Sequence, residues 1–250
     1  MDSLRAIDDW GASLAAAGVV RADGIVDTHG PRDRDVRWAS VTKLLTGLAA
    51  LVAVEEGVVD LDERLRRLLS HAGERRRAYS NEGIEEAAQL VAAAAEMPWD
   101  DYFREAVVMP LGLRGSLQGS PASEYVGPLD DLLALGRELL APTLIAPETL
   151  AEATEVQFPG LDGVLPGWGR QEPNDWGLSF ELKDGKSPHW MGSLTSPRSF
   201  GHFGQDGTFL WVDPELGLAC GVLTNRTFGE WAKEAWPPFS DAVVNDARLP

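Results

Sequence analysis

The chain has 250 residues, a length that favours one large domain or two interleaved parts and excludes a small disulfide-stapled module. A composition of 44% hydrophobic and 24% charged residues lies near the globular average, far from the disordered regime. The formal net charge of -17 argues against nucleic acid or an anionic membrane as a partner and reads as a solubilising surface.

From the start of the chain, Leu4, Ile7, Trp10 and Leu14 recur at helical spacing and predict a helix over residues 2 to 17. Val19-Val20-Arg21 and Gly24-Ile25-Val26 flank an Ala22-Asp23-Gly24 turn, which predicts a hairpin. Ser40 to Glu56 is rich in Leu and Ala, free of Pro and punctuated by Gly57, the clearest helical pattern in the chain. Helical patterns continue over Leu61–Leu69, Ile84–Ala95, Trp99–Val108, Leu129–Leu140 and Pro147–Ala153, with breaks at Pro110, Gly112 and Pro142, so the middle reads as helical. Val156 to Asp175, dense in Gly and Pro, predicts an irregular loop.

Trp176–Leu182, Phe200–Phe203, Thr208–Val212 and Leu218–Thr224 then predict short strands. Asp206-Gly207 and Asp213–Gly217 serve as turns, so the pairing is antiparallel. A helical pattern over Glu230–Ala247 follows. The expected architecture is α+β: an antiparallel sheet built from both chain ends and flanked by terminal helices, with a helical region inserted. Residues 1–60 and 160–250 make the sheet-containing part and 61–159 the helical part. Cys220, the only cysteine, falls in an apolar run and reads as core. The acidic opening lacks a secretory signal, and the best apolar stretch, Leu44 to Val54, is well short of the ~20 residues that span a bilayer. A cytoplasmic protein without membrane attachment is expected.

Three short patterns carry chemistry. Ser40-Val41-Thr42-Lys43 has the S-x-x-K form, which places an amine one helical turn from a hydroxyl, on the same helix face. A lysine near a helix start, buried among Val41, Leu44 and Leu45, is pushed toward its neutral form by burial and the helix dipole and can then accept a proton. Tyr79-Ser80-Asn81 adds a phenol able to relay a proton and an amide that donates and accepts. In His202-Phe203-Gly204, a glycine lets substrate approach, and the following Gln205 N–H is placed to complete an oxyanion hole. Chance matches number about 0.2, 0.05 and 0.4 respectively, so each pattern alone is weak and a helix cap, a turn or a strand histidine explains it. The joint expectation, about 0.004, favours the functional reading.

With these three elements in this order, the chain resembles the serine β-lactamase and penicillin-binding protein superfamily, in particular its class C β-lactamase, esterase and D-Ala-D-Ala carboxypeptidase branch. The likeness extends to Trp38-Ala39-Ser40, Leu68-Leu69-Ser70-His71, Met109–Leu113, Trp176-Gly177-Leu178, Leu210–Pro214 and Leu223–Arg226. It implies a β-lactamase-like fold and an acyl-enzyme mechanism that needs no metal or organic cofactor. In that mechanism Ser40 attacks a carbonyl, Lys43 and Tyr79 share the proton transfers, and the Ser40 and Gln205 amides hold the oxyanion. Asn81 orients substrate, and His202 stands where the family carries Lys or His. The substrate is then a small ester, amide or lactam.

Two departures qualify the transfer. The loop before Tyr79 is cut to Ala72–Ala78, which predicts an open cleft, and Phe203 stands where β-lactam-handling members usually place a hydroxyl. These features leave a catalytically weakened binding protein, or a true β-lactamase or carboxypeptidase, as alternatives to an esterase or amidase. Arg75-Arg76-Arg77 reads as a solvated loop, and Trp190 is the tryptophan chosen as a pocket wall. His29, His71 and His189 lack zinc-ligand spacing, so no metal site is expected.

Overall fold

Both ends of the chain contribute to one antiparallel sheet. A computed structural model describes residues 1–248. A 3-10 segment, Asp2–Trp10, leads to the hairpin β1 (Ala15–Arg21) and β2 (Gly24–His29), then β3 (Val36–Arg37) and a short 3-10 turn, Ala39–Val41. The helices α1 (Thr42–Glu55), α2 (Glu63–Leu69), α3 (Asn81–Ala94) and α4 (Trp99–Phe103) follow, the last running into a π turn over Arg104–Val108. Strands β4 (Ser116–Leu117) and β5 (Tyr125–Gly127) precede α5 (Leu129–Leu140) and α6 (Pro147–Ala153). The hairpin β6 (Gly163–Leu165) and β7 (Gly169–Gln171), then β8 (Glu181–Leu182), β9 (Phe200–Gly204), β10 (Thr208–Asp213), β11 (Leu218–Thr224) and α7 (Glu230–Arg248) complete the order.

The main sheet runs β2-β1-β11-β10-β9-β8, with every neighbouring pair antiparallel. Its strands β9, β10 and β11 are buried on both faces, which explains the nearly continuous apolar character of β10 and β11. Alternation sends Val19, Phe209, Trp211, Cys220 and Val222 toward α7 and the N-terminal 3-10 segment. Val20, Leu210, Val212, Ala219 and Leu223 face the helical layer. Gly18 and Gly221 pair across β1 and β11, and a Cβ on either would lie 2.7 Å from Leu133 or 2.8 Å from Leu132. The missing side chains form a trough into which α5 sinks its leucines, so the helical layer docks at close range. No helix among the described residues is long and apolar enough to cross a membrane.

The antiparallel sheet, its terminal flanks and the helices between match the expected architecture, and several details differ. The opening helix is a 3-10 segment that stops at Gly11, in the left-handed region at φ 64; Leu14 lies beyond it, its amide bonded to Asn225. The helical middle also holds β4 and β5, which join β3 in a small sheet of order β3-β5-β4 whose two- and three-residue strands are too short to show an alternating pattern. The loop over 156–175 contains the β6–β7 hairpin. The strand expected over Trp176–Leu182 shrinks to Glu181–Leu182, because Ser179 turns the backbone at φ 66 and Gly177 N–H closes on the Phe180 carbonyl. Arg77 is not solvated: it is buried, and its guanidinium donates to the carbonyls of Ser70, Asn174, Gln157 and Phe158.

Candidate active site

Ser40 sits in the 3-10 turn that feeds α1. Ala39 before it takes φ 47, a conformation costing about 1–3 kcal/mol for a residue with a side chain. Lys43, one turn later, is fully buried. Its Nζ lies 3.2 Å from Ser40 Oγ, 2.6 Å from Asn81 Oδ1 and 2.8 Å from the Ala122 carbonyl oxygen. Both carbonyl oxygens only accept, so a neutral amine gives its two N–H bonds to Asn81 and Ala122 and turns its lone pair to Ser40. Burial lowers the Lys43 pKa to about 7 against the pull of Glu85 and Glu82.

Tyr79 reaches the same oxygen. Ser80 caps α3, its Oγ accepting from Gly83 N–H, so Tyr79 is held just outside that helix and Asn81 just inside it. The Tyr79 hydroxyl donates to Ser40 Oγ at 2.7 Å. Burial raises the phenol above its ordinary value, so it stays a proton donor. Ser40 Oγ therefore lies between a base and an acid. His71 supports the arrangement, with Nδ1 accepting from the Ser80 amide and its ring 4.8 Å from that of Tyr79.

The third pattern arrives on β9. His202 pairs with Leu210, which turns its side chain to the helical face and the Ser40 side of the sheet. Phe203 turns the other way and packs on Trp190 and Trp236. His202 Nδ1 lies 2.7 Å from the Phe203 carbonyl, and burial lowers its pKa to about 3. Gly204 serves a purpose other than admitting substrate. A Cβ there would lie 2.5 Å from the Trp38 carbonyl and 2.9 Å from Ala39 Cβ, so glycine lets β9 approach the turn that carries Ser40.

Ser40, Tyr79, His202 and Gln205 line one cavity of about 80 Å³. Leu165 and Pro166 of the β6–β7 hairpin also line it, so the site is covered where the short Ala72–Ala78 loop predicts an open cleft. A wider groove of about 520 Å³, lined in part by Arg76, Val164 and Arg170, shares Tyr79 and Pro166 with the cavity.

Two expected binding residues lie elsewhere. Asn81 commits its carboxamide oxygen to Lys43 and does not line the cavity. Trp190 is fully buried one layer behind it, with Nε1 donating to Glu181 at 2.9 Å. Trp176 is the tryptophan on the wall, and Glu181 shares the lining. Burial pushes the Glu181 carboxyl up, but His189 and Lys186 outweigh it and hold its pKa at about 2. An acid inside an apolar strand, with Lys186 and His189 soon after, was the available sign of a buried paired charge.

A comparison with curated proteins finds no sequence match. The family profile described as Beta-lactamase matches residues 66–244, a span that takes in the second and third patterns and begins after Ser40 and Lys43. Among solved structures, a β-lactamase from Mycobacterium bovis is 44% identical, with a TM-score of 0.96 over 99% of this chain and 100% of that one. A mutant of simvastatin synthase from Aspergillus terreus shares the fold at 16% identity and a TM-score of 0.82, over 99% and 96% of the two chains. So does EstCE1, described as a hydrolase with promiscuous acyltransferase activity, at 16% identity and 0.72 over 97% and 96%. A profile match over most of the sequence and a near-complete overlay at 44% identity place the chain in the beta-lactamase family.

Proposed function

We propose that the protein is a serine hydrolase that cleaves an ester or amide of a small substrate through an acyl-serine intermediate on Ser40. The observation that carries this reading is the Lys43 amine, buried, with both N–H bonds committed to carbonyls and its lone pair left to Ser40 Oγ. Lys43 takes the Ser40 proton as Oγ bonds to the substrate carbonyl carbon. The carbonyl oxygen, now negative, is held by the amides of Ser40 and Gln205. Tyr79 gives its proton to the leaving group and regains one from Lys43, and the bond to the leaving group breaks. Water, deprotonated by the same base, then attacks the acyl carbon and frees Ser40.

The small cavity beside Ser40 suits the acyl group, and the wider groove beyond Tyr79 suits the leaving group, because the phenol that protonates it borders both. The assembled proton path favours an enzyme over a non-catalytic binding protein. The Mycobacterium bovis relative is described as a β-lactamase, so a penicillin belongs in the substrate panel. The test is incubation with a fluorophosphonate, a penicillin and short-chain nitrophenyl esters, followed by mass spectrometry of the Ser40 peptide. An adduct on that peptide with ester turnover is expected; no adduct and no turnover would sink the proposal.

A further inference from the structure

The loop before Tyr79 and the β6–β7 hairpin are joined through their backbones. Arg77 N–H donates to the Asp162 carbonyl at 2.7 Å. A Cβ on Gly163 would lie 2.6 Å from the Arg77 carbonyl oxygen, so glycine there lets the hairpin close on the loop. Val164 and Arg170 are paired across the hairpin and leave from one face, while Leu165 turns inward and lines the cavity beside Ser40. The groove of about 520 Å³ between loop and hairpin therefore has an apolar part, Val164 and Pro166, and a cationic part, Arg76 and Arg170. Tyr79 lines both spaces and joins the groove to Ser40.

The charge of this groove runs against that of the chain. The formal net charge is -17, yet three arginines and one aspartate line the groove. Arg170 is paired with Asp162, and with Glu172 outside the lining. Arg77 lies buried behind the wall, where its guanidinium bonds four carbonyls and no carboxylate, so no ion pair cancels its charge. Arg76 is exposed and enters no ion pair or side-chain hydrogen bond among the described residues; Glu74 and Arg75, exposed on the same loop, do not line the groove. A guanidinium is a planar fork that matches a carboxylate, and one unpaired cation calls for a single negative charge. Val164, 59% exposed, offers the apolar surface that a stem leading to that charge would cover. On β9, Phe203 supplies no side-chain donor that could compete for it.

Resting on the hydrolase reading, we infer that the leaving group of the substrate has an apolar stem that lies on Val164 and Pro166 and ends in a carboxylate paired with Arg76. Selectivity for the leaving group is then set by the shortened loop and the hairpin.

Matched thioesters test it: S-acetyl-6-mercaptohexanoate and S-acetyl-3-mercaptopropionate, each beside its carboxamide. In the longer pair the charge is too far from sulfur to alter its leaving ability, so the acid-to-amide ratio of kcat/KM reads the binding of the arm. The longer acid is expected to exceed its amide about fivefold at low ionic strength, the upper end for an exposed ion pair, and the ratio should fall toward one in strong salt. Arg76→Glu should bring the ratio below one, whereas Arg198→Glu, the same charge change at an exposed residue that lines neither cavity nor groove, should keep it. Val164→Ser should slow the longer amide about threefold relative to 4-nitrophenyl acetate. A preference for the acid in neither pair, or one that Arg76→Glu leaves intact, would overturn the inference; an unchanged amide in Val164→Ser would remove the stem from it.

A second measurement needs no turnover. 8-Oxononanoate and 8-oxononanamide carry a methylene where the longer thioesters have sulfur and cannot be cleaved. Calorimetric binding that is tighter for the acid, and loses that difference in Arg76→Glu, without ester turnover or an adduct would uphold the anion site and sink the hydrolase reading. Turnover with acid and amide arms equal would overturn this inference and leave the hydrolase reading standing. No turnover and no discrimination between the ketones would overturn both.

Discussion

Gly204→Ala tests whether β9 sets the position of Ser40, the proposed nucleophile. The added Cβ would lie 2.5 Å from both the Trp38 carbonyl oxygen and Thr208 Oγ1, and 2.9 Å from Ala39 Cβ. Reaching the 3.4 Å of ordinary contact requires β9 and the Ser40 turn to part by about 0.9 Å. The Trp38 carbonyl cannot retreat freely, because it accepts from Val41 N–H inside that turn and from Thr208 Oγ1. Ser40 is therefore displaced relative to Gln205, the other proposed oxyanion donor, and relative to Lys43. A displacement near 1 Å at a reacting centre lowers the rate about 100-fold, and overpacking of this kind costs about 1–3 kcal/mol of stability. The assay is kcat/KM on a short nitrophenyl ester beside thermal unfolding, with Val243→Ala, buried within α7 and absent from the lining of the cavity, as a control for lost stability. The control should unfold several degrees lower and keep its activity. Gly204→Ala with wild-type kcat/KM would refute the idea that this contact positions Ser40.

Four further outcomes are expected. Activity should rise with pH through an apparent pKa of about 7, because the neutral Lys43 is the competent form; Lys43→Arg, which stays charged, should show no ester turnover in the same pH series. Lys43 also links stability to pH. Its pKa is lower folded than unfolded, so the unfolded chain binds more protons between pH about 7 and ~10.4, and stability rises with pH across that window. Urea unfolding at two pH values should show a slope about 1 kcal/mol per pH unit steeper in the wild type than in Lys43→Met. Tyr79→Phe, which removes the proton donor while keeping the ring, should slow esters with poor leaving groups about 100-fold or more and nitrophenyl esters less, a difference steady-state kinetics would register. Arg77→Met would strand several buried carbonyls and should cost more than about 3 kcal/mol in denaturant unfolding; a near-neutral effect would contradict the buried role assigned to Arg77.

The sequence by itself determined the elements with long, strongly patterned cores. The helix from Ser40, the Leu129–Leu140 and Pro147–Ala153 helices, the three late strands and the opening hairpin were legible because period and turn residues are local properties. Lys43 beside Ser40 was legible for the same reason: one helical turn is a local distance. Tertiary structure decided what each neighbouring group does. Asn81 and Ala122 meet at Lys43 only because the cap of α3 and the segment before β5 converge on α1, and a residue's partner across 38 or 79 positions has no local signature. The β6–β7 hairpin that covers the site, the substitution of Trp176 for Trp190 on the wall, and the burial of Arg77 and Glu181 arise in the same way. Gly204 shows the division most clearly. Its lack of a side chain is written in the chain, but whether that space admits a substrate or the backbone bearing Ser40 depends on which surfaces pack together, and packing is settled by the whole fold.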